Sequence, residues 1–172
     1  ALAHYGECVL SGAQLLIDTL GLGKAFLATR DEFSASLPDL PAMARKHKVI
    51  LARLPDIYPL GYEKILKREI LGIPMSPVSS ASSSVTDSVL VVNAETLRNL
   101  SWAFQQQRPV CTKLITVAGE VAQPISLHVP IGTSFDDCLA LAGGASCARY
   151  TVFHNGVLSG KPIDPTNAWV SA

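Results

Sequence analysis

From Glu7 to Leu20 apolar side chains recur at Val9, Leu10, Ala13, Leu16, Ile17 and Leu20, the spacing of one helical face. Gly21-Leu22-Gly23 stops that helix. Ala25–Ala28 reads as a short buried strand and Lys48–Leu54 (KVILARL) as a second. Between them Asp31–His47 carries a helix that Pro38 and Pro41 interrupt or delay, because proline has no amide hydrogen to donate. Tyr62–Leu71 predicts a further helix bounded by Gly72 and Pro74. Helix–strand–helix–strand–helix is an α/β arrangement and predicts parallel strands.

Ser76–Ser88 breaks the pattern: it is serine-rich with little apolar content, and reads as a flexible loop or linker. Val89–Val92 then predicts a strand that delivers Asn93 to a helix running to about Gln106. The face of that helix is Leu97, Leu100 and Phe104, with Trp102 at its flank. Arg108-Pro109 closes this first unit.

Leu114–Gly144 is the most informative stretch. ITV and ISLHV alternate in the manner of half-buried strands joined by a tight turn. Gly132-Thr133-Ser134 opens a short helix, with Thr133 or Ser134 as its cap. Asp136 and Asp137 sit in its first turn, where the dipole favours carboxylates. Gly143-Gly144 ends it. Tyr150–His154 and Ala168–Val170 read as later strands, with His154-Asn155-Gly156 as a turn. A hairpin feeding a helix that packs across it is the opening of a β-grasp module, here from about Cys111 to Ala172.

Composition narrows the function. A chain of 172 residues can bury one sizeable core or two small ones. Fourteen cations balance fourteen anions, so no strong field points to nucleic acid or an anionic membrane. No apolar run approaches the roughly 20 residues needed to cross a bilayer. No charged-then-apolar leader opens the chain, and a soluble, intracellular protein is the expectation. Cys8, Cys111, Cys138 and Cys147 are scattered without a CxxC pair, which predicts reduced, mostly buried thiols and argues against an iron–sulfur site from these four. His4, His47, His128 and His154 show no metal-ligand spacing, and no GxSxG elbow marks a hydrolase.

The VAGEV…VPIGTSF signature resembles the soluble-ligand-binding β-grasp (SLBB) family. Tyr58-Pro59-Leu60-Gly61-Tyr62-Glu63 and Val91-Val92-Asn93-Ala94-Glu95-Thr96 stand upstream in the order and spacing of the RnfC component of Rnf electron-transport complexes. The cobalamin reductases of propanediol-utilising microcompartments are similar, and the flavin-bearing subunit of respiratory NADH dehydrogenase more distantly so. The resemblance implies a partial flavin-binding α/β domain over residues 1–109, followed by a small β-grasp domain over 110–172.

It also implies cofactor-binding roles. Gly61 and Glu63 match the family's backbone approach and carboxylate near flavin mononucleotide (FMN), and Asn93 and Thr96 its polar contacts to that cofactor. Local readings stand beside these: Asn93 is a preferred helix N-cap, Glu95 suits a first turn, and Tyr58-Pro59 sets an extended entry to the helix at Tyr62. The family's glycine-rich nucleotide loop, its upstream acidic flavin segment and its downstream cluster-binding cysteines have no counterpart here; Gly21-Leu22-Gly23 is only a helix stop. The expectation is a middle fragment of an electron-transfer flavoprotein subunit, inactive alone. Its parent would pass electrons from NADH to FMN and through iron–sulfur clusters to other subunits or a redox partner. The expected setting is the cytoplasm, at the cytoplasmic face of a membrane complex or in a microcompartment, without direct membrane insertion. The alternative is a non-catalytic module in which the β-grasp unit binds a ligand or docks a subunit. A polysaccharide-export protein is disfavoured by the α/β half.

Overall fold

The computed structural model describes residues 2–73 and 89–171. The chain divides into two compact units, Ala1–Arg108 and Pro109–Ala172.

In the first unit a long helix α1 (Leu2–Leu20) precedes β1 (Phe26–Arg30), α2 (Asp31–Ala35), α3 (Leu40–Lys46), β2 (Ile50–Leu54), α4 (Glu63–Leu71) and α5 (Ala94–Gln106). The expected helix over Asp31–His47 is two short ones. Leu37 N–H donates to the Ser34 carbonyl before Pro38, and α3 restarts with Pro41 in its first turn, where a missing amide costs nothing. β1 and β2 pair in parallel, from Phe26 opposite Ile50 to Arg30 opposite Leu54. Leu10, Leu40, Ala44 and Val49 form the buried centre, with Ala13, Ile17, Leu27 and Leu51 packed around it. Leu10, Ala13 and Ile17 lie on one side of α1, as the helical spacing requires.

Two expectations are corrected. Val89–Val92 is irregular backbone, because among the described residues no neighbouring strand offers it a ladder. The buried side of α5 is Leu97, Arg98 and Ser101, not Leu97, Leu100 and Phe104. Phe104 is exposed. The reason is α1, which presses its Gly12 backbone onto Leu97 and sets Tyr5 against Arg98, so that this side of α5 is the one covered. The Ser76–Ser88 stretch lies outside the described residues.

The second unit opens with an antiparallel hairpin, β3 (Thr112–Val117) and β4 (Ile125–Pro130), with Ile115 opposite Leu127 and Lys113 opposite Val129. A helix α6 (Phe135–Leu141) follows. Alternate residues Ile115 and Val117, with Leu127 and Val129, share the core face with Cys138, Val170 and Phe135. Ser134 caps α6: its Oγ accepts from the Asp137 amide at 3.0 Å. β5 (Val152–His154) and β6 (Lys161–Ile163) form a second antiparallel pair around a single helical turn, α7 (Gly156–Ser159). The expected strand at Ala168–Val170 is instead one bridge, Trp169 to Ser134, flanked by hydrogen bonds between Val170 and residues 132 and 133. The tail thus secures the loop that enters α6.

Candidate functional site

Parallel strands end with their carboxyl termini on the same side, and open α/β sheets place ligands in the crevice beyond those ends. Here that side carries a cleft of about 390 Å³. Its walls are Ala28–Arg30 from β1, Leu54 from β2, the connection Pro55–Gly61 without Pro59, and Leu66 from α4. Leu54, Ile57, Tyr58, Leu60 and Leu66 make it largely apolar, and Ile57 and Tyr58 are themselves exposed. The charged groups among its lining residues are Arg30 and Asp56, and they meet: Arg30 Nη1 donates to Asp56 Oδ2 at 2.9 Å.

Gly61 lines this cleft. Neither a left-handed φ nor a neighbour demands glycine there, since a Cβ would meet nothing within 4 Å. Glu63 begins α4 two residues on, and Lys67 Nζ donates to its Oε1 at 2.8 Å. Lys67 is only 8% exposed, so the pair keeps a buried ammonium compensated. Asn93 does what a cap residue does: its Oδ1 accepts from the Glu95 amide at 2.9 Å. Thr96 is exposed in the first turn of α5. Asn93 and Thr96 do not line the cleft, so of the four expected cofactor residues it takes in Gly61 alone.

Two groupings leave no local mark in the sequence. Arg30 and Asp56 are 26 positions apart and meet only because β1 and β2 align. Arg98 is 0% exposed, yet its guanidinium lies 5.2 Å from the Tyr5 ring centroid and 4.6 Å from that of Trp102. It donates to Glu95 Oε1 at 3.2 Å and to Asn99 Oδ1 at 2.9 Å. Arg108 stacks on Trp102 as well, at 4.6 Å. Buried arginine on aromatic faces is a recognised way to hold a charge inside, and it ties α5 to the start of α1.

The four cysteines are unpaired thiols, and no grouping of three or more metal-ligating side chains occurs among the described residues. No helix among them is long and apolar enough to cross a membrane. The hairpin–helix unit with its Ser134 cap and glycine exit is the part of the chain with a specific sequence signature. Residues 114–150 match the SLBB domain.

The SLBB segment sits inside a longer likeness. Cobalamin reductase PduS of Citrobacter freundii is 35% identical over 166 residues, covering 94% of this chain and 34% of that protein. Its Salmonella typhimurium counterpart is 32% identical, covering 90% of the chain and 32% of the protein. The RnfC-type component of the proton-translocating ferredoxin:NAD(+) oxidoreductase complex of Clostridium ljungdahlii is 26% identical, covering 88% and 33%. The chain therefore spans about a third of the length of these curated relatives. They are oxidoreductases by name, and the resemblance to the cobalamin-reductase and RnfC proteins extends over both units, not the SLBB segment alone.

Within the SLBB segment, Cys138 is buried beneath the hairpin, and burial first, then the nearby Asp137 charge, pushes its thiol above the ordinary cysteine value. That makes it a packing residue, not a reactive one.

Proposed function

We propose that this chain is part of an electron-transfer flavoprotein subunit, in which the first unit contributes one wall of an FMN and NADH site. The SLBB unit serves assembly with other subunits or a redox partner. The observation that carries the reading is the cleft at the carboxyl ends of β1 and β2, with Gly61 open on its wall. Its volume falls within the few hundred Å³ typical of small-ligand sites, and its apolar walls suit a flat ring. The likeness to named oxidoreductases supports the reading from outside the geometry.

The residues fit a flavin in part. Gly61 lets a ring approach the backbone, and Leu54, Leu60 and Leu66 exclude water from its face. Glu63, neutralised by Lys67, brings a carboxylate to the start of α4 without adding net charge. Asn93 and Thr96 offer polar groups at the start of α5, and with it the positive end of a helix dipole. A bound flavin would accept a hydride from reduced nicotinamide and release electrons singly, a conversion no side chain performs. In the whole protein, iron–sulfur clusters outside this chain would receive those electrons.

The test is FMN titration of the 172-residue chain, read by flavin fluorescence. Weak but saturable binding that Gly61→Val abolishes, with the melting temperature unchanged, supports the reading; a Cβ at position 61 meets nothing within 4 Å. Absence of binding, or binding indifferent to Gly61→Val, overturns it.

A second reading has its own observation. Trp169, Tyr150, Phe153 and Val157 are exposed apolar side chains of the second unit, and residues 114–150 match the SLBB domain. In that reading the chain binds or docks without transferring electrons. Replacing Trp169 with Ser would then weaken subunit or ligand capture and leave FMN titration unchanged.

A further inference from the structure

The cleft has largely apolar walls and one ion pair among its lining residues, Arg30 with Asp56. Both partners face water, at 63% and 49% side-chain exposure. An exposed pair of this kind contributes from nothing to about 1 kcal/mol, so it is not there for stability. Asp56 engages one nitrogen of the guanidinium, and among the described residues Arg30 has no other acceptor. Among the described residues the rest of its donor fork has no acceptor, beside a cavity whose other lining is largely apolar.

From this arrangement we propose that Arg30 is the anion anchor of the cleft, with Asp56 a stand-in that yields to a phosphate of the incoming ligand. The inference rests on the flavin and nicotinamide reading above and adds a determinant to it: the ligand is recognised as an aromatic nucleotide, not as a bare ring. A phosphate offers the guanidinium two parallel charge-assisted bonds where Asp56 Oδ2 receives one. A weak intramolecular pair therefore gives way to a stronger intermolecular one. Asp56 has a second effect. While Asp56 occupies the anchor its carboxylate opposes any anion, so a phosphate lacking the ring, with no apolar contact to add, competes poorly.

Two ligand pairs, titrated into the 172-residue chain, separate the sources of that phosphate: riboflavin against FMN, and nicotinamide riboside against nicotinamide mononucleotide. The phosphorylated member of one pair is expected to bind about tenfold more tightly, the ratio a charge-assisted contact supports. The pair showing that ratio identifies the source. Arg30→Gln should bring the ratio to one while leaving the unphosphorylated ligand and the melting temperature unchanged. Asp56→Asn should raise it, since the competing carboxylate is gone. The preference should also fade with added salt. Equal binding of both members of each pair, or a preference that survives Arg30→Gln, overturns the anchor and leaves the flavin reading standing. If no flavin or nicotinamide compound binds at all, the functional reading falls and the anchor with it.

Discussion

Gly12 of α1 lies with its backbone directly against the carbonyl of Leu97 in α5, so that a Cβ at position 12 would run into that oxygen. The contact between these helices is the most extensive in the first unit, and polar and aromatic groups add to it. Gln105 Nε2 donates to Ser11 Oγ at 2.6 Å, and Tyr5 meets Trp102 edge to face at 5.2 Å.

Gly12→Ala should consequently destabilise the protein, although alanine is the better helix former. The methyl cannot be accommodated without separating two backbones, and overpacking of this sort costs about 1–3 kcal/mol. Thermal unfolding should show a melting temperature lower by several degrees; an unchanged or higher value would show that α1 and α5 part easily.

Arg98→Ala should cost more, about 3 kcal/mol, because it leaves Glu95 without its buried cation and two aromatic faces without their filling. Urea unfolding checks this. Combined with Trp102→Ala the loss should be less than additive, since both substitutions remove the same stack.

Thiol reactivity should rank by burial. Cys111 is exposed and Cys138 is buried with a raised pKa, so a maleimide at neutral pH should label Cys111 first. Cys138 should react only once denaturant opens the core beneath the hairpin. Mass spectrometry of partially labelled protein reads the order.

Glu7 supplies a pH dependence. Hydrogen bonds from Lys46, then His47, hold its carboxyl below the ordinary glutamate value. A carboxyl depressed in the folded state stabilises fully above its unfolded value of about 4.3 and loses that contribution as pH falls through the folded value. Wild type should thus exceed Glu7→Gln in stability at pH 6 and converge with it towards pH ~3, by under about 1 kcal/mol because the pair is half exposed. A gap that widens on acidification would reverse the assignment.

Ser134→Ala removes the acceptor for the Asp137 amide and should cost about 1 kcal/mol, read as a fall in melting temperature. Ser134→Asn should recover most of it, as another good cap.

Local chemistry alone accounts for a good part of the molecule. Asn93 and Ser134 are caps because a short polar side chain can reach the amides two and three residues ahead; Asn93 is legible as such in the sequence, whereas the sequence leaves Thr133 and Ser134 both open and the structure selects Ser134. Alternation in Leu114–Val117 and Ile125–Val129 suffices for a hairpin with one buried face, since a strand repeats every second residue. The parallel pairing of β1 with β2 follows from helices standing between them. Where the expectation failed, the missing term was distant. Val89–Val92 has strand-forming residues but no partner strand among the described residues, and a strand without a ladder does not form.

Packing decided the rest. Apolar spacing in α5 points to Leu100 and Phe104, yet the helix buries Arg98 and Ser101, because the surface opposite is the bare backbone of Gly12 with Tyr5 beside it. Periodicity registers which residues share a face and carries nothing about what that face meets. The same limit hides the ion pair of the cleft. Arg30 and Asp56 acquire their relation from a strand register, and each in its own stretch of chain is an ordinary surface charge.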